Sequence, residues 1–397
     1  MSLDTTPESV GVSSNRLRDI DTAMQGFVDQ GKIAGIATLI ARRNKIVHLG
    51  CFGKLDLATN RPIQPDSLFR LYSLTKPITS VAALMLHDDG CFQLDDPIST
   101  WLPEFSRFTV LPDSTSAHGG MQPLETEMTF RHLLTHTAGL GYGKDREPTK
   151  LIEQLYRDAN LMTPLLTLQA PLPEIARKVA QLPLLAQPGT GWFYSLAHDV
   201  LGYLIELVSG KPFATFLHER LFGPLGMNDT SFFVPHDKLA RFGPLYSSSE
   251  EQTLAVVDDV PTSPFVRPDV VPGGGAGLVS SLPDVFRFML MLANGGTVNG
   301  VRVLKPDTVA AMTTNQLTGA TSPGRFEEPW WPGMGYGLGI GVDTADVPRV
   351  GWIGMSGTSA WIYPREEMIV IALPQALSDW EASDTLINIA REAIVSG

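Results

Sequence analysis

Ser73 and Lys76 stand three residues apart in Phe69-Arg-Leu-Tyr-Ser73-Leu-Thr-Lys76-Pro77-Ile-Thr-Ser-Val-Ala-Ala-Leu-Met-Leu86. A serine hydroxyl is a weak nucleophile until a base takes its proton, and a buried lysine with a depressed pKa can be that base. From Ile78 onward the apolar positions fit a buried helix. Pro77 is tolerated only in a first turn, so that helix must begin close to Ser73. The three-residue spacing then places Ser73 and Lys76 on one face. At a helix start, unpaired backbone N–H groups and the positive end of the dipole favour negative charge developing at the serine. Taken alone, the pair also fits a capping serine beside a solvated lysine.

Further segments follow in order along the chain: Phe130-Arg-His-Leu-Leu-Thr-His-Thr-Ala-Gly-Leu140, Pro188-Gly-Thr-Gly-Trp-Phe-Tyr194-Ser195-Leu196, Gly273-Gly-Gly-Ala-Gly-Leu-Val-Ser280, Asn294-Gly-Gly-Thr-Val-Asn-Gly300 and Gly351-Trp-Ile-Gly354. In this order they resemble the serine hydrolases of the class C β-lactamase and penicillin-binding type, and especially the β-lactamase-like carboxylesterases. Ser73-Leu-Thr-Lys76 resembles the first motif of that family, the Tyr194 segment its second, and Gly351–Gly354 stands where the third belongs, on a strand beside the site. The resemblance covers nearly the whole chain.

What the resemblance implies is an acyl-enzyme mechanism. Ser73 would attack the acyl carbon, with Lys76 and Tyr194 handling its proton; which of the two is the base stays open. The oxyanion hole would be the backbone N–H groups of Ser73 and, by alignment, Met355. Tyr72, Leu196, Trp352 and Gly354 are the expected pocket residues. Two departures bear on substrate. Tyr194-Ser-Leu196 replaces the lactamases' Tyr-x-Asn, and Trp352-Ile-Gly354 replaces their Lys-Thr-Gly. Both remove groups that would hold an anionic β-lactam, so a neutral short-chain carboxylic ester is the expected substrate. The indole of Trp352 would then offer apolar contact and an N–H.

Other chemistries fit less well. Gly354-Met-Ser-Gly-Thr358 lacks the last glycine of a nucleophile elbow, and without an elbow His118-Gly-Gly120 reads as a turn. His132 and His136, at i and i+4, could share a helix face, but no Glu stands between them as in a zinc protease, and a structural role is expected. His198 fits either a place beside the site or packing. Trp330, Trp331 and Tyr336 fit either pocket walls or core. No Gly-Lys-Ser/Thr follows the glycines at 273–277, so they read as a close backbone approach near the site rather than a phosphate loop. No metal or other cofactor is expected, and a catalytically silent binding module is disfavoured by the joint presence of Ser73, Lys76 and Tyr194.

The elements that must hold these residues come from both ends of the chain. Residues 13–30 repeat apolar side chains at helical spacing, and Ile36–Arg42 and Lys45–Gly53 meet at Arg43-Asn44 as a hairpin. Strand signals return at Tyr336–Val342, Ala360–Tyr363 and Met368–Leu373, before a helix over 379–395. Ser281-Leu-Pro-Asp284 opens a further helix with the pattern of a capping box, and that helix closes at Gly295-Gly296. The expected fold is therefore α/β (α+β), β-lactamase/DD-peptidase-like. An antiparallel sheet flanked by helices is built from residues 1–95 and 262–397, with a mostly helical domain inserted over 96–261.

The chain has 397 residues and a net charge of −12, from 30 Lys and Arg against 42 Asp and Glu. No basic cluster stands out, which argues against nucleic acid or an anionic membrane as partner and leaves a small-molecule ester. Neither a secretory leader nor a membrane-length apolar run is present, so a soluble, cytoplasmic protein is expected. Cys51 and Cys91 are too few for a disulfide framework and read as buried thiols in a reducing compartment.

Overall fold

A computed structural model describes residues 2–111, 120–143, 151–248, 253–319, 321, 333–345 and 348–395. Its centre is an eight-stranded sheet, antiparallel throughout. The strands are β1 (Gly35–Arg42), β2 (Lys45–Asp56), β3 (Arg61–Pro62), β4 (Met334–Tyr336), β5 (Gly341–Asp343), β6 (Arg349–Ile353), β7 (Ser359–Tyr363) and β8 (Met368–Pro374). Their spatial order is β4-β5-β6-β7-β8-β1-β2-β3, so β1 from the start of the chain pairs with β8 from its end. The β1–β2 turn is made by Arg43 and Asn44, both in the left-handed region at φ 51° and 61°, the backbone twist a two-residue hairpin favours.

Alternation along β1 decides what covers each face. Ile36 and Ile40 point to a layer of α1 (Ser14–Asp29) and α5 (Glu381–Glu392), packing with Ile20, Met24, Leu386 and Ile387. Ala37, Leu39 and Ala41 point the other way, into the larger core with α2 (Thr75–Asp88), α3 (Ala197–Ser209) and α4 (Leu282–Ala293). Helix α2 is buried on every side from Thr75 to Leu86, with the polar Thr75, Lys76, Thr79 and Ser80 among its buried residues. Within 96–261 lie α3 and several shorter helices, along with two small hairpins, Thr109–Val110 with Gln122–Pro123 and Leu245–Ser248 with Leu254–Asp258. The same apolar cluster runs from β1 through α2 into α3.

Several local expectations are corrected. Tyr336–Val342 is not one strand: β4 and β5 are separate and antiparallel, folded back at Gly339, whose φ is 81°. Ser281 caps α4 without a side-chain hydrogen bond, because Asp284 instead accepts from Asp229 N and Thr230 Oγ1 and pairs with Arg287. Cys91 is exposed and Cys51 half-buried, the latter's thiol pushed up to about 11 chiefly by burial. No single helix among the described residues is long and apolar enough to cross a membrane.

Gly339 gives a test of this framework. A Cβ there would fall 1.7 Å from Ser80 Oγ on α2, at a φ that disfavours any side chain. Gly339→Ala is expected to lose at least about 2 kcal/mol of stability, from left-handed strain and overpacking together, read as a lower urea midpoint with unchanged slope. An unaltered midpoint would show that this turn does not lock the β4–β5 pair to α2.

Candidate active site

Ser73 lies in the single turn Tyr72–Leu74 that leads directly into α2. The turn is strained at Tyr72, an aromatic residue held at φ 44°. Its ring is buried edge-on against Phe265 at 5.9 Å, which anchors the strained residue. Helix α2 then brings Lys76 round to the same face. Lys76 Nζ donates to Ser73 Oγ at 3.3 Å and to the Gly275 carbonyl at 2.8 Å, and the side chain is wholly buried.

Burial is also what moves the charge. Removed from water, the Lys76 ammonium is disfavoured and its pKa falls to about 7, with Asp199 opposing the shift. Asp199, equally buried in the first turn of α3, is pushed up by the same cause while the Gly275 N–H, donating to Oδ1 at 3.0 Å, pulls it down. The glycine run is needed for this approach. A Cβ on Gly274 would meet the His198 carbonyl at 2.1 Å, and one on Gly275 would meet Asp199 Oδ2 at 2.6 Å.

Tyr194 reaches the site from the loop before α3. Its ring lies 4.6 Å from Lys76 Nζ and stacks on Tyr142 at 5.7 Å with the planes 6° apart. Behind it, the Ser195 backbone N–H donates to His136 Nδ1 at 3.3 Å, and the His136 ring lies 4.6 Å from that of Tyr194. His198 contacts His136 ring to ring at 4.8 Å and bonds Ser80 Oγ through Nε2 at 3.0 Å. Both histidines are fully buried and held well below the usual imidazole range, chiefly by that burial. They form the packed support of the tyrosine. His132 and His136 do not share a helix face, since the helix Phe130–Leu134 ends before His136, which stands at φ 56°.

The loop after β6 closes over the nucleophile's turn. Gly354 N–H donates to the Thr358 carbonyl at 2.7 Å, and a Cβ on Gly354 would sit 2.3 Å from the Leu71 carbonyl, so only glycine allows this contact. Ser356 Oγ donates to the Arg70 carbonyl at 2.7 Å. Arg70 is itself fully buried, paired with Asp258 at 2.6 Å and bonded to the Gly243 carbonyl and Gln375 Oε1. Residues 70–73 and 354–356 are thereby clamped together at one end of a cavity of about 600 Å³, onto which Ser73, Tyr142, Tyr194, Gly354 and Met355 open.

Three expected pocket side chains fall elsewhere. Trp352 is wholly buried because alternation along β6 turns it to the core face, and its Nε1 donates to Tyr194 Oη at 3.2 Å instead of facing the cavity. Leu196 is buried at the start of α3, and Tyr72 is buried against Phe265. Tyr336 packs in the core beside Trp352, 5.1 Å between ring centres. Trp330, Trp331, His118 and Gly119 lie outside the described residues. Asp199 and Tyr142 were missed in the sequence; an acid in a first helical turn and a tyrosine two residues past the Phe130–Leu140 segment carry no marker of their own. Among the described residues no three His, Cys, Asp or Glu side chains are grouped as metal ligands.

Residues 20–393 match the family model described as Beta-lactamase. The chain is 32% identical over 378 residues to esterase EstB of Burkholderia gladioli, covering 91% of this chain and 88% of that protein. It is 28% identical over 367 residues to lovastatin esterase of Penicillium rubens, covering 84% and 85%. Among solved structures it is similar to EstCE1, described as a hydrolase with promiscuous acyltransferase activity, with a TM-score of 0.80, 27% identity and coverage of 96% of this chain and 99% of that one.

The lysine's burial gives a direct test. With ¹³C-labelled lysine, one resonance should titrate near pH 7, and Lys76→Arg should remove it. Between about pH 7 and the ordinary lysine value of 10.5, the unfolded chain holds a proton that the native chain has lost. This group's contribution to stability is therefore lowest below pH 7 and grows as pH rises through that window. A resonance for Lys76 near 10 would show that water reaches it.

Proposed function

The chain belongs to the β-lactamase family as a serine ester hydrolase, and from that premise we propose that it hydrolyses short-chain carboxylic esters through a covalent acyl-enzyme on Ser73. The observation that carries the reading is Ser73 Oγ at 3.3 Å from the fully buried amine of Lys76, at one end of an open cavity. Ser73 Oγ bonds to the ester carbonyl carbon while its proton passes to the Lys76–Tyr194 pair. The tetrahedral oxyanion is met by the Ser73 and Met355 N–H groups. The C–O bond to the alcohol then breaks, and the alcohol oxygen leaves with the proton the pair returns. Water repeats the sequence on the acyl-serine and releases the carboxylic acid.

Neutral lysine is the form that can accept a proton, so kcat/KM should rise as pH passes upward through about 7. Ser73→Ala should abolish the burst of p-nitrophenol from p-nitrophenyl butyrate. Lys76→Ala and Tyr194→Phe should each lower kcat by on the order of a thousandfold, and their effects should not add, as expected of one proton-transfer unit. A Ser73→Ala protein that turns over at the parent rate would sink the assignment.

The competing reading is β-lactam or peptide amide hydrolysis. The lactamases' asparagine and lysine are replaced here by Leu196 and Trp352, both buried, so neither could reach a β-lactam's side chain or carboxylate. Two lost polar contacts predict that kcat/KM for a short p-nitrophenyl ester exceeds that for nitrocefin by roughly two orders of magnitude or more. Equal values on one preparation would favour the amide reading. Transfer of the acyl group to an alcohol in place of water is a second outcome that the cavity's volume leaves room for, and it is read by adding a short alcohol and following the new ester.

A further inference from the structure

The cavity is much larger than a short ester needs. Its volume of about 600 Å³ is that of a site for a drug-sized molecule. It also has a direction. Arg349, Gly351 and Ile353 share the face of β6 opposite to Trp352, and Arg349, Ile353 and Gly354 all line the cavity. From Gly354 beside the serine back to Arg349 is five residues of strand, about 17 Å. Between them, Gly351 lets β6 lie close against β7, for a Cβ there would collide with the Ala360 carbonyl at 2.1 Å and with Trp361 Cε3 at 2.8 Å. Along the rim runs Trp380, fixed by an N–H bond from Nε1 to the Gly354 carbonyl at 3.0 Å, and then Asp384 of α5.

The far end is built, not open. The Arg349 guanidinium lies over the Trp361 ring at 4.2 Å and its Nε donates to Asp343 Oδ2 at 3.1 Å. Stacking and pairing hold it in place, and its charge is answered by Asp343. Asp384 lines the cavity as well, so the guanidinium at this end already faces carboxylates, which disfavours a further anion. The remaining lining includes Tyr142, Leu166, Ile353, Met355 and Trp380, mostly apolar.

We propose that the strip of cavity between Gly354 and Arg349 is a subsite for one long or polycyclic, mainly apolar and uncharged arm of the ester, the other arm being short. This rests on the reading of Ser73 as the esterase nucleophile. An acetyl or butyryl ester would occupy only the end beside the serine, whereas a bulky arm would displace water from the apolar walls and gain from their burial.

Matched esters test it. p-Nitrophenyl acetate is compared with p-nitrophenyl 6-phenylhexanoate, which adds bulk on the acyl arm, and phenyl acetate with 1-naphthyl acetate, which adds it on the alcohol arm. At least one bulky ester should exceed its short partner in kcat/KM by about tenfold or more. In Ile353→Trp, which fills the strip, that ratio should collapse towards one. A ratio on one preparation is insensitive to any fraction of misfolded protein. The 6-phenylhexanoate should also outrun a p-nitrophenyl ester of similar length that ends in a free carboxylate. Activity on the acetates with no preference for either bulky ester, a ratio untouched by Ile353→Trp, or a preference for the carboxylate would each overturn the subsite and leave the esterase reading standing. Inactivity on all five esters would instead remove the esterase reading on which it rests.

Discussion

Lys76 is an ammonium-bearing side chain with no contact to water, and the arrangement around it answers the cost of that burial. Its one carbonyl partner, Gly275, is available only because a run of glycines lets the backbone pass within van der Waals range of α3. Its nearby carboxylate, Asp199, is buried too, and is held by a backbone N–H from the same glycine run. Neither fully offsets desolvation, so the proton on Lys76 is weakly held near neutral pH. The same burial that would be a liability in a structural lysine makes it a poised proton acceptor.

Burial of Lys76 also dictates the packing of its neighbours. The nucleophile's turn is pinned from behind by the Arg70–Asp258 pair and by Ser356, and the tyrosine by neutral, interior histidines. Such polar groups in a dry interior destabilise unless each has a partner, and where they are partnered they define one geometry. Segments far apart in sequence, around residues 70, 199, 258, 275 and 356, are tied together this way. The strand Leu254–Asp258, within the region expected to be a helical insertion, supplies one partner of the Arg70 pair.

Much of this was legible in the sequence because local chemistry and global fold agree there. Pro77 after Lys76 fixed where α2 could start, and the two polar residues Arg43-Asn44 between apolar runs fixed the hairpin turn. One cause of misreading is that periodicity does not report breaks in a fully buried run. Tyr336–Val342 is apolar and glycine-rich throughout, so nothing in its pattern marks the reversal at Gly339. A motif position does not fix a side chain's direction, and at Trp352 alternation from Ile353 turns the indole inward. Asp199 and Tyr142 gain their place only from tertiary contacts.

The inward turn of Trp352 changes what the exchange of lysine for tryptophan means. A lysine at this wholly buried position would put a second ammonium beside Tyr194 Oη, in an interior already holding Lys76, and would need a carboxylate of its own. The indole needs none. It fills the space between Tyr194 and Tyr336 with apolar surface and offers its one N–H to the tyrosine oxygen. The tyrosine is thereby oriented by a neutral donor, and Lys76 stays the one lysine next to it among the described residues. Restoring the lysine alone would introduce an uncompensated buried charge before it created any anion-binding site. What tryptophan does at this position therefore depends on the absence, among the described residues, of a counter-charge in the surrounding core as much as on the motif.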